Sequence, residues 1–85
     1  MDEPSKFLPI DIPAAALARW MAQAERLAKV DAAVLTELRD LERDRTPWRL
    51  ERCARAARWL ETIADEPYRA ASRALATELE RISQK

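Results

Sequence analysis

Apolar residues recur through the first half of the chain with one unbroken helical period. Leu17, Ala24 and Leu38 fall on a spacing of seven, Trp20, Leu27, Val34 and Leu41 repeat it three places later, and Met21, Ala28 and Leu35 widen the stripe. The pattern predicts a single long helix over about residues 13–45, supplied throughout with alanine, leucine, arginine and glutamate. Asp31 alone disturbs it, standing on the stripe between Ala24 and Leu38. Within a continuous helix it would be a polar group at a core position, which fixes register or oligomeric state. As a cap following Lys29-Val30 it would start a new helix at Ala32. The other breaks use proline, at Pro13, Pro47 and Pro67, and here there is neither proline nor glycine, so the continuous helix is the expectation.

Thr46-Pro47 is a cap residue followed by proline at a first helical position, and it predicts a second helix over 47–65. Its core stripe is Leu50, Cys53, Ala57, Leu60 and Ala64, with Ala56 and Ile63 alongside; the small residues in its middle would let a neighbouring helix come close. Asp65-Glu66-Pro67 ends it and opens a third helix over 67–83, where Tyr68, Ala71, Leu75, Leu79 and Ile82 form the stripe. Ahead of this helical domain (13–85) lies an arm. Residues 1–6 are polar and without period, which reads as a loose tail. Phe7, Leu8, Ile10 and Ile12 are interleaved with two prolines, so they form no helix and must dock on something. Either they lie over the chain's own helices, with Asp11 capping helix 1 and Ile10 stapling its entry, or they are a short motif that a partner binds.

Length gives the expected architecture. A helix over 13–45 is roughly 50 Å long and the other two about 27 Å each, so one copy cannot cover the first. The expectation is an all-α three-helix chain completed by homodimerisation, with Leu17, Trp20, Ala24, Leu27, Asp31, Val34, Leu38 and Leu41 as the dimer or core stripe. The alternative is a monomeric four-helix bundle broken at Asp31. A chain of 85 residues buries only about 60 to 65% of its unfolded surface, which also favours self-association.

Composition then removes most chemistry. With no glycine there is no Walker loop, dinucleotide fingerprint or glycine-built nucleophile elbow. With no histidine and one cysteine, the usual zinc sites and both Ser-His and Cys-His pairs are absent too. No cofactor and no metal are expected. Cys53 lies in an apolar stripe and reads as packing, and a lone cysteine forms no intrachain disulfide, which fits a reducing cytosol. The opening Met1-Asp2-Glu3-Pro4 is acidic where a signal peptide is basic, and no apolar run approaches the roughly 20 residues of a membrane span, so a soluble, cytoplasmic protein is expected.

One surface constellation stands out. At about 100° per residue, Trp48 and Trp59 fall nearly in line on helix 2, with Arg52 and Arg55 between and beside them. Tryptophan and arginine are the residues most enriched at binding hot spots, so these four are the candidate protein-binding residues. The plainer reading packs both indoles on helix 1 or the arm, with the arginines lying over them. In size and class alone the chain resembles small bacterial or phage-encoded regulators such as antitoxins, anti-activators and inhibitors.

The expectation is therefore a non-enzymatic helical module that occupies another protein's surface. A nucleic-acid binder using Arg49, Arg52, Arg55 and Arg58 is less favoured, because these wind around the helix and 15 basic residues are balanced by 15 acidic ones. A helical enzyme working by arginine and carboxylate positioning is the third class. Its comparison is the chorismate mutases, which the chain resembles in architecture but not residue by residue.

Overall fold

The structure is a computed structural model and describes residues 7–83. Four helices follow one another: α1 (Ala14–Leu27), α2 (Ala33–Arg43), α3 (Pro47–Ile63) and α4 (Tyr68–Ser83). Each packs on its neighbours in sequence, and α4 closes back on α1. The expected long first helix is therefore corrected to two helices.

Asp31 makes the break. Val30 and Asp31 donate their backbone N–H groups to the Leu27 carbonyl, at 2.9 and 3.1 Å, which closes α1. The Asp31 carboxylate then accepts from the Ala33 N–H at 2.8 Å, satisfying one of the donors that a helix start leaves free. A short acidic side chain competes for backbone partners better than it tolerates an apolar seam, so neither proline nor glycine is needed. The heptad phase survives the interruption: Val34, Leu38 and Leu41 of α2 enter the same core as Leu17, Trp20, Ala24 and Leu27 of α1. None of these seven is more than 5% exposed in a single copy, so the uncovered half-helix that called for a second chain does not exist.

The most extensive packing is between α3 and α4. Ala54 and Ala57 on α3, and Ser72 and Ala76 on α4, are buried. The Ser72 hydroxyl donates to the Ala57 carbonyl at 2.6 Å, so the one polar side chain of this seam is satisfied. Lengthening Ala57 to leucine would overpack the seam and is expected to cost about 1–3 kcal/mol.

The arm lies over the protein's own α2–α3 corner. Ile12 is buried, Ile10 is half-buried against the core, and the Ile10 N–H donates to the Arg45 carbonyl at 2.8 Å. Asp11 does not cap α1: the cap position is Pro13, and no side chain bonds there. Thr46 holds the cap position of α3 as expected, with Pro47 next, but its hydroxyl contacts the Asp44 carbonyl (3.5 Å) instead of the helix. The expected loose tail at 1–6 lies outside the described residues. Among the described residues, no helix is long and apolar enough to cross a membrane.

Candidate protein interface on the third helix

The outward side of α3 carries all four candidate residues, and its two ends are built differently. At the N-terminal end, Trp48 is half-buried. Phe7 packs on it with ring centroids 6.0 Å apart and planes tilted by 55°. The Arg49 guanidinium sits 4.1 Å from the indole centroid and that of Arg52 5.8 Å away, both in cation–π range.

These arginines are themselves held. Arg52 forks onto Glu37 of α2 through two bonds of 3.0 Å, and Arg49 pairs with Asp40 at 3.6 Å and Asp44 at 3.4 Å. The Glu37 hydrogen bond, followed by its charge, raises the Arg52 pKa above its ordinary value. Beneath them Cys53 is fully buried, and desolvation, reinforced by the Glu37 and Asp40 charges, pushes its thiol up to about 12. A thiol so placed is neither nucleophile nor ligand at neutral pH.

At the C-terminal end, Arg55 is exposed and has no ion pair or side-chain hydrogen bond among the described residues. One turn on, Trp59 is 46% exposed, and a turn further Ile63 is 50% exposed. The Thr62 hydroxyl bonds back to the Trp59 carbonyl at 2.6 Å. An open depression of about 270 Å³ lies between α2 and α3 beside Trp59, floored by Ala56 and edged by Arg52, Arg55 and Glu37. It has room for one large apolar side chain and offers a guanidinium at its rim.

On its other flank this half of α3 is tied to α4. Arg58 forks onto Glu80 at 3.0 and 2.6 Å and reaches Glu61 at 2.8 Å, and Arg73 of α4 holds Glu61 at 2.6 Å. Arg73, then Arg58, hold the Glu61 carboxyl below its ordinary range, and Arg58 does the same to Glu80. The two glutamates in turn raise the Arg58 pKa.

The structure thus divides the four residues. Trp48 and Arg52 make intramolecular contacts, whereas Trp59 and Arg55 stay open. Ile63 joins the open pair although its apolar character suggested the flank of the core. At 100° per residue Ile63 stands about 40° from Trp59 and about 90° from the centre of the Cys53, Ala57, Leu60 and Ala64 stripe, so angle was the signal for it. The partners of Arg52 and Arg58 left no such signal, because Glu37 and Glu80 come from other helices. Phe7 and Leu8 form a second exposed apolar surface, 71% and 63% exposed. Among the described residues there is no group of His, Cys, Asp and Glu side chains able to hold a metal ion. No family model, curated protein or solved structure matches the chain.

Proposed function

We propose that this chain is a small protein-binding module, a regulator or inhibitor that acts by occupying another protein's surface through the open half of α3. The observation that carries this reading is the strip Arg55, Trp59, Ile63. A large indole and a branched aliphatic stand half-exposed one turn apart, next to an arginine that no carboxylate of the described chain engages. A surface tryptophan flanked by a free guanidinium supplies the two elements that dominate protein hot spots, a desolvating ring and a charge able to stack and pair. Trp48 and Arg52 support the strip from its N-terminal edge by rigidifying it.

The nucleic-acid reading has less to draw on, because Arg49, Arg52 and Arg58 already face carboxylates of the same chain, which cancels the local field a phosphate backbone requires. For an enzyme, the depression beside Trp59 is open, and its one carboxylate, Glu37, is bonded to Arg52.

A photo-crosslinking residue at position 62, exposed within the strip, tests the proposal in the native host. The expected result is a protein adduct that disappears when Trp59 and Ile63 are both changed to alanine, with the melting temperature unchanged. Adducts that survive the double substitution, or no adduct at all, would overturn the assignment of the strip.

A further inference from the structure

The strip is not only exposed but also self-complementary. Arg55 lies on its N-terminal side without a partner among the described residues. Beyond its C-terminal side α3 stops at Ile63, Ala64 is extended (φ −88°, ψ 151°), and Asp65 follows, exposed and likewise without a side-chain partner among the described residues. The charges at the two ends are opposite in sign, and the apolar pair lies between them.

Lay a second α3 antiparallel across the first, with Trp59 of each copy over Ile63 of the other. The two-fold axis then passes level with residue 61. By helical rise Arg55 is about 9 Å from that level on one side. Two helical residues and two extended ones put Asp65 at most about 9–10 Å away on the other. In this arrangement each guanidinium lies on the same side of the axis as the other copy's carboxylate, and no more than one long side chain's reach along the axis separates them. This is the isologous condition, in which residue i contacts j and j contacts i.

We infer that the open strip of α3 pairs with the same strip of a second copy of this chain, Trp59 against Ile63 and Arg55 against Asp65, related by a two-fold axis. The inference rests on the reading of this strip as a protein-binding surface and adds one occupant to it. Only two large apolar side chains per copy are covered, well short of the roughly 800 Å² per partner of a stable interface, so the pairing is weak and reversible. A weak self-pairing shields the indole in the free protein and yields to a better partner for the same strip. It differs from the dimer that a long first helix would have required, since it buries no core residue of α1 or α2.

The experiment is sedimentation equilibrium of the full chain from about 10 μM to about 1 mM, a range reaching the weakest interfaces of interest. The measurement is repeated with Arg55→Asp, Asp65→Arg and the double reversal. Both positions are exposed and have no side-chain partner among the described residues, and circular dichroism confirms that each variant is folded. The unmodified chain should rise from 9.8 kDa toward twice that mass with concentration, and less steeply at high salt. Each single reversal should abolish the rise, and the double reversal should restore it. A chain that stays at 9.8 kDa throughout overturns the self-pairing, as does association that single reversals leave unchanged or that the double reversal fails to rescue. Neither outcome bears on the crosslinking test, because an adduct lost with Trp59 and Ile63 would still mark the strip as a surface for a different protein.

Discussion

Trp48 and Trp59 stand three turns apart on the same side of one helix, and the chain treats them in opposite ways. Around Trp48 it spends Phe7 of the arm, the guanidiniums of Arg49 and Arg52, and through them three acidic side chains of α2 and its C-terminal turn. Around Trp59 it places Arg55, Ala56 and Ile63, and the residue stays 46% exposed. Residue type and helical phase are shared, so neither decides the fate of an indole here. Tertiary supply decides it: the arm and the acidic side chains of α2 engage the ring and arginines of the first half of α3, whereas Trp59 has no ring or cation partner among the described residues.

The largest effect that would break this contrast is on stability. Trp48→Ala removes a half-buried ring stacked by two arginines and a phenylalanine, and is expected to cost about 1–3 kcal/mol in urea unfolding. Trp59→Ala should stay within about 0.5 kcal/mol, as surface changes do. Equal losses at the two positions would mean that Trp59 is structural.

Cys53 sharpens the comparison from beneath. It lies under the fastened half, and a pKa moved from 9.0 to about 12 lowers its thiolate population about a thousandfold near pH 8. Alkylation of the native chain should therefore be far slower than that of the urea-unfolded chain, down to the rate at which the fold opens. Replacing Glu37 by glutamine removes the larger of the two anionic contributions and the brace on Arg52 together, and should speed the reaction measurably while leaving the fold intact. Fast alkylation of the native chain would show that this half opens readily, and the contrast with the Trp59 end would fail.

The division of the sequence into helices was legible wherever proline marks it, at Pro47 and Pro67, and so was the apolar face of each helix. The break at Asp31 was not, because an aspartate that bonds the backbone two residues on reads in the sequence as a polar intruder in a continuous seam. The preserved phase from Ala24 to Leu38 concealed it further, since two helices feeding one core in the same register look like one. From that single reading came the length mismatch and the dimer built on it. At the candidate site, the alignment of Trp48 with Trp59 was visible, but their unequal cover depended on Phe7 and Glu37, which folding brings from separate segments. Replacing Asp31 by alanine should lower stability by about 1 kcal/mol in urea unfolding, the usual worth of a lost cap, whereas asparagine, which keeps the acceptor, should lose less.

The smallest expected effect concerns how the open half of α3 is kept in place. Its fastening lies on the α4 flank, in the chain Glu80, Arg58, Glu61, Arg73, and both glutamates have carboxyl pKa values below the ordinary 4.5. A lowered folded-state pKa means that these groups favour folding fully above the ordinary value and lose that contribution as pH falls through the lowered one. Stability should thus be flat in this respect above pH 4.5 and decline below it, by a modest amount because the pairs are solvent-exposed. Arg58→Met removes the cation shared by both carboxylates and should flatten part of the decline, leaving the part due to Arg73. If Arg58→Met leaves the acid slope unchanged, the network does not hold this half of the helix, and the position of Trp59 must be set by the Ala57–Ser72 seam alone.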